Sequence, residues 1–279
     1  MPRASLICAK RLTPKPPRSS GKRSAPAGPP PRHGPFPTEH ALRARHGRLI
    51  GILNGVDYDE WNPESDPLIP FTYSASDLAG KEKNKRAVLE EMGLEYVFDR
   101  PLFGMVTRLT YQKGIELVEQ AMPGLLREHD FSLMVLGSGE PGCEQFFNWL
   151  QNEFPGRVGF YRGFNNPLAH RIEAGSDVFV MPSRYEPCGL NQMYSLKYGT
   201  VPLVRATGGL ADSVQHFDPA SGYGTGIVFH DFDANGLAWG VIIGAAFHLI
   251  LQLPLLFKQG LSYTPSLGLE SADVREVAR

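Results

Sequence analysis

Residues 176–214 read SDVFVMPSRYEPCGLNQMYSLKYGTVPLVRATGGLADSV, and this stretch decides the fold. Its two apolar runs, VFVMP at 178–182 and VPLV at 201–204, are too short for helices and are closed by Pro or Arg, as buried strands are. Each is followed by a loop and then a helix start, at Leu190 and at Leu210. Outward from there the same unit repeats. LFGMV (102–106), FSLMVLG (131–137), VGFY (158–161) and GIVF (226–229) read as four further buried strands. Ile115, Val118 and Met122, and again Phe146, Leu150 and Phe154, recur three or four residues apart and give helices with one apolar face. Asp77 can cap a helix through Lys83, Val88 and Met92 that stops at Gly93. Strand and helix alternating this often predict an α/β fold, a Rossmann-like doubly wound parallel sheet over 77–236. Ligands of such sheets bind beyond the carboxyl ends of the strands, so chemistry is sought in the loops that follow them.

The 279 residues suffice for one such domain with some chain left over. The first 40 residues hold 8 basic residues, one acid and 10 of the 24 prolines, with almost no aliphatic periodicity. They cannot bury enough apolar surface to offset ordering entropy and read as a disordered Pro/Arg-rich tail. The other 239 residues carry 20 basic and 28 acidic side chains, a net charge of −8, which argues against a body built for nucleic acid. Three cysteines without regular spacing argue for a reducing compartment and against a disulfide framework or a zinc cluster. Residues 41–76 read as a linker segment and 258–279 as a polar tail. Between Asp233 and Lys258 there are 24 residues without a charge, and Leu237–Phe257 is apolar apart from His248 and Gln252. At 1.5 Å per residue this stretch spans about 31 Å, so 237–257 is a transmembrane candidate, its alternative being a buried helix at the sheet edge.

Four loops carry candidate chemistry. In GMVTRLTYQKG (104–114), Arg108 stands at a strand end and Lys113 just before a helix, two cations at a helix mouth where a diphosphate can sit. In the loop 182–190, Pro187 keeps Glu186 out of helical conformation, so its carboxylate is an acceptor presented in a loop. Cys188, Gly189 and Leu190 follow, with amides that lack intrahelical partners. Cys188 itself reads as a small packed residue rather than a nucleophile. Thr207, Gly208, Gly209 and Leu210 let backbone approach a ligand closely, and VLGSGE (135–140) repeats that pattern and could line a nucleoside.

GILNGVDYDEWNPESDP (51–67), VTRLTYQKG (106–114), HRIEAGSD (170–177) and the 176–214 stretch occur in an order that resembles the carboxyl-terminal half of bacterial glycogen synthases and plant starch synthases. These are retaining glucosyltransferases of the two-Rossmann-domain GT-B type, and the resemblance runs from about residue 42 to 231. It implies ADP-glucose as donor substrate, an α-1,4-glucan as acceptor, no separate cofactor and no metal. By the same resemblance Arg108 and Lys113 neutralise the leaving diphosphate and Glu186 bonds hydroxyls of the donor glucose. Amides of Cys188, Gly189 and Leu190 hold glucose and phosphate, and the Thr207-Gly208-Gly209-Leu210 turn closes on the distal phosphate. Asn54 reaches the cleft and His170 lies near the nucleoside end. Many GT-B relatives place a second Glu eight residues after the first, and Tyr194 in that position favours the glucan branch over sucrose or trehalose enzymes.

The family's amino-terminal domain has no counterpart in 1–40, so the resemblance describes a donor-side fragment expected to be inactive alone. After about Gly236 the family pattern ends, and residues 236–260 resemble, much less closely, a transmembrane segment of the lipid II flippase family. A chimeric reading frame or a true fusion accounts for both ends. The alternative function is a non-catalytic nucleotide-sugar binding module, tethered to the cytoplasmic face of a membrane through 237–257.

Overall fold

The computed structural model of the chain describes residues 53–258, with side chains described as far as Ala246. The expected 1–40 tail, the first part of the 41–76 linker and nearly all of the 258–279 tail lie outside the described residues. The strands are β1 (Leu102–Val106), β2 (Ser132–Gly137), β3 (Val158–Arg162), β4 (Val178–Met181), β5 (Val201–Arg205) and β6 (Ile227–Phe229). They form one sheet in the order β3-β2-β1-β4-β5-β6, every pairing parallel. The order reverses between β1 and β4, where Phe103 pairs with Val178 and Gly104 with Phe179.

Both faces are covered, which is why the strands are apolar without alternation. On one side α2 (Ile115–Glu128), α3 (Pro141–Glu153) and α7 (Ala234–Lys258) pack on Phe103, Met105, Leu133, Val135, Val178 and Val180. On the other side α1 (Ala79–Glu91) and α4 (Asn166–Gly175) pack on Leu102, Met134, Leu136 and Phe179. The short helices α5 (Asn191–Lys197) and α6 (Gly209–Ser213) follow β4 and β5. The expected start of α1 is present in a modified form: Asp77 stands two residues before the helix and its Oδ1 accepts the Ala79 N–H at 3.0 Å. Gly93, at φ 66°, takes the left-handed turn after its end.

The segment read as a linker is part of the body from Asn54 onward. Asp66, Ile69 and Tyr73 are buried, and Trp61 packs against the cores formed with α4 and Tyr198. The membrane reading of 237–257 also needs correction. Leu237 and Val241 are 0% and 1% exposed, and Ala238, Ile242 and Ile243 pack on the same core. Gly240 and Gly244 fall on the same stripe, one against Leu203 and the other against Val178 and Phe103, where a Cβ would displace them. The first three turns of α7 are thus a covering helix of the sheet. Uniformly apolar sequence conceals which face is buried, whereas Leu237, Gly240, Val241 and Gly244 follow the helical period. Among the described residues no helix is long and apolar enough to cross a membrane, and the side chains of His248 and Gln252 lie outside the described set.

Candidate functional site

The reversal of strand order opens a crevice at the carboxyl ends of β1 and β4, and a cavity of about 190 Å³ lies there. Arg108, Lys113, Ser183, Glu186, Gly189, Leu190 and Asn191 line it over a floor of Met105, Val106 and Met181. Lys113 ends a single 3-10 turn, Tyr111–Lys113, and Gly114 at φ 71° reverses the chain into α2. A Cβ on Gly114 would strike the Pro182 carbonyl, so glycine there lets the loop after β1 lie on the loop after β4. The Arg184 N–H donates to the Gln112 carbonyl at 2.9 Å and the Gln112 amide donates to the Tyr185 carbonyl at 3.1 Å, tying the two loops together.

That arrangement brings Lys113 Nζ to 2.5 Å from Glu186 Oε2, and the Ser183 hydroxyl donates to the same oxygen at 3.1 Å. Glu186 is buried except for one edge on the cavity. Arg108 is exposed at the rim, and no hydrogen bond or ion pair holds its guanidinium among the described residues. The site therefore has one cation engaged by a carboxylate and one at the rim, with an anion-sized space between the loops.

Neighbouring side chains fix the Glu186 loop. Arg184 lies between the rings of Tyr111 and Phe232, 4.0 and 3.9 Å from their centroids, and pairs with Glu116 at 2.7 Å. Arg205 donates to the Arg184 carbonyl at 2.9 Å. The buried Gln192 amide donates to the Cys188 carbonyl at 3.0 Å and to the Ser213 hydroxyl at 2.9 Å, joining α5 to α6. Gly208, at φ 47°, passes so close to the Glu186 carbonyl that no side chain fits, and the Gly209 N–H donates to that carbonyl at 3.0 Å. Thr207, Gly208, Gly209 and Leu210 thus support the loop from β5 and do not line the cavity. Cys188 does not line it either, and its Sγ accepts the Asn54 N–H at 3.3 Å, which brings the segment before α1 to the rim.

His170 does not itself line the cavity. It is 0% exposed, with Nδ1 2.8 Å from Asp66 Oδ2 and one ring face covered by Trp61 at 3.7 Å. Tyr198 donates to the same Asp66 oxygen at 2.5 Å. Burial would raise the Asp66 carboxyl, but the hydrogen bonds from His170, Tyr198 and Leu68 outweigh it and hold it below its ordinary value. The ring of His170 is a prop under Trp61, which in turn stacks on Tyr194 at 3.9 Å.

A second cavity of about 150 Å³ adjoins the first and shares Val106 and Asn191 with it. Trp61, Phe164, Asn166, Ala169, Glu173 and Tyr194 complete its walls. None of the first five was singled out by sequence reasoning. Phe164 is 86% exposed, an aromatic ring held in water by the turn after β3. Its signal in the sequence was its place between Gly163 and Asn165-Asn166-Pro167, a turn at a strand's carboxyl end that offers an aromatic no core to enter.

Residues 95–243 match the family model described as glycosyl transferases group 1. A 196-residue stretch, 70% of this chain, is 55% identical to glycogen synthase 1 of Geobacter sulfurreducens and covers 39% of that protein. Over 207 residues, 74% of the chain, it is 46% identical to the glycogen synthase of Geobacillus thermodenitrificans and covers 42% of it. The catalytic domain of starch synthase IV from Arabidopsis thaliana, solved bound to ADP and acarbose, superimposes with a TM-score of 0.70 at 36% identity, over 75% of this chain and 44% of that one. The chain thus spans about two fifths of the curated relatives it matches. With the parallel sheet and the cavity at its switch point, these likenesses show that the chain belongs to the glycosyl transferases group 1 family.

Proposed function

We propose that the described domain is the donor-binding half of a glycogen- or starch-synthase-type glucosyltransferase, taking ADP-glucose and delivering glucose to an α-1,4-glucan with retention. The observation that carries the reading is the meeting of Arg108, Lys113 and Glu186 in one cavity at the sheet's switch point. The diphosphate lies between Arg108 and Lys113, and the glucose hydroxyls face Glu186 and the amides of Gly189 and Leu190. The base enters the adjoining cavity against Phe164. Support for ADP comes from the starch synthase IV domain, whose structure holds ADP and acarbose.

Chemically, the site works on the leaving group. As the glycosidic bond to phosphate breaks, negative charge grows on the diphosphate, and Lys113, held in the crevice by Glu186, stabilises it together with Arg108 at the rim. Lys113 must then share its ammonium between phosphate and Glu186. Asn54 and Cys188, joined at the rim, mark the side from which an acceptor chain approaches. Front-face transfer needs a second wall to hold the glucan and exclude water. The donor side alone is expected to bind ADP-glucose and to transfer little or no glucose. The cysteine usage fits work in a reducing, cytoplasmic compartment.

Calorimetric titration of the chain with ADP tests the reading. One saturable site that Lys113→Ala weakens by tenfold or more, while adenosine binding is spared, is the expected result. A folded sample giving no saturable heat at millimolar ADP would remove it.

A further inference from the structure

The second cavity contains a polar atom that the described fold leaves without a partner. Glu173, on α4, is 1% exposed and lines this cavity. Its Oε2 lies 2.8 Å from the Ser195 hydroxyl, and its Oε1 has no hydrogen-bond partner among the described residues. A buried acceptor left without a donor is costly, and its position against a cavity points to a donor that arrives from outside the chain.

The Ser195 hydroxyl donates to Glu173 Oε2 at 2.8 Å and lies 2.8 Å from the Asn191 carbonyl, so Oε2 is the engaged oxygen of the carboxyl and Oε1 the open one. Burial pushes that carboxyl up to about 8, against the Ser195 hydrogen bond and the Lys81 charge, which pull it down. Lys81, facing it from α1, is itself held by the carbonyls of Ala174 and Tyr198 at 3.2 and 3.1 Å and by the Thr200 hydroxyl at 2.8 Å. It makes no direct bond to Glu173. With Oε2 engaged by Ser195, Oε1 is left as the open acceptor.

The remaining walls say what kind of donor fits. Asn166, Ala169 and Glu173 lie along one face of α4, and Tyr194 stands on the α5 side with its ring stacked on Trp61. Phe164 adds an exposed ring at the mouth. A slot walled by flat aromatic rings, with an unpartnered acceptor buried at Glu173, suits a planar heteroaromatic base with an exocyclic amino group.

We propose that Glu173 is a specificity-determining residue, its Oε1 accepting a hydrogen bond from the amino group of the nucleotide's base and so favouring an aminopurine diphosphate. This rests on the nucleotide reading of the two cavities. The test is calorimetric titration of the full chain with ADP and with purine riboside 5′-diphosphate, which differs only by lacking the 6-amino group. The wild-type chain is expected to bind ADP about three- to tenfold more tightly, the range of one neutral hydrogen bond. Glu173→Leu and Glu173→Met should bring the ratio near one, while Glu173→Gln, whose amide keeps a carbonyl acceptor, should retain it. A wild-type ratio near one overturns the proposal, whatever the variants do. So does a Glu173→Leu or Glu173→Met chain that melts as wild type and keeps the full ratio. Failure of the wild-type chain to bind either diphosphate would refute the nucleotide reading itself, and the Glu173 proposal with it.

Discussion

Replacing Glu186 by Gln should tighten ADP binding, although Glu186 belongs to the same cavity. Lys113 Nζ stands 2.5 Å from Glu186 Oε2, so a phosphate on the same ammonium brings two anions close together. With one hydrogen-bond length on each side of the ammonium, they are about 5 Å apart, and at an effective dielectric constant of about 20 their repulsion is roughly 3 kcal/mol. Solvent at the open edge of the cavity reduces this, and about 1 to 2 kcal/mol is a reasonable expectation, or roughly five- to thirtyfold in affinity. ADP-glucose should gain less, because the carboxylate's hydrogen bonds to glucose hydroxyls, worth about 1.5 to 3 kcal/mol when charge-assisted, are weakened in the amide. Calorimetry with both ligands on wild type and Glu186→Gln, with melting followed in parallel, therefore reads a fall in the preference for ADP-glucose over ADP. If ADP bound more weakly to Glu186→Gln, or both ligands changed by the same factor, the assignment of Lys113 to phosphate and Glu186 to glucose would be wrong.

Other expectations can be checked on the same protein. Arg108→Ala should weaken ADP by about 1.5 to 3 kcal/mol and leave adenosine nearly unchanged, since the exposed guanidinium can reach only the charged end of the ligand. Truncation after Gly236 should abolish cooperative thermal unfolding, because it removes Leu237 and Val241, each contributing about 1.5 to 3 kcal/mol by burial, and uncovers β5 and β6; a truncated chain melting as wild type would show that α7 is dispensable. Asp66 is held below its ordinary value in the folded chain, so its contribution is present above 3.8 and is lost as pH falls through the lower folded value. Asp66→Asn should accordingly destabilise the chain at pH 7 by about 2 to 4 kcal/mol, with the gap closing in strong acid; a gap independent of pH would contradict it. Glu173 is raised from 4.5 to about 8, so it contributes a loss of stability as pH climbs through that window, and denaturant melts of Glu173→Gln should show a flatter profile there.

The strands were legible because their physics is local. LFGMV, with both Leu102 and Phe103 fully buried, reads as a strand covered on two sides wherever it occurs. Arg108, Lys113 and Glu186 could also be found, since each follows a strand and the parallel topology carries the ends of β1 and β4 to one edge. What sequence could not supply was tertiary. His170 looked like a site residue by position, and only the placement of Trp61 over it and Asp66 beside it makes it a buried support. Thr207 and the two glycines after it read as a ligand loop, and nothing local told that the Glu186 backbone also rests on them. The residues 237–245 carry no charge to mark an outer face, so the period of Leu237, Gly240, Val241 and Gly244 was hidden among equally apolar neighbours. Glu173 escaped notice because an acidic residue on a helix is ordinarily solvated, and nothing local announces that this one points inward.

A crystal structure of the chain grown with millimolar ADP would test the central claim most directly. The diphosphate is expected between Arg108 and Lys113 at the ends of β1 and β4, with the Lys113–Glu186 pair lengthened and the base against Phe164. A diphosphate bound at any other edge of the sheet, or a cavity without ADP in crystals grown at that concentration, would contradict it.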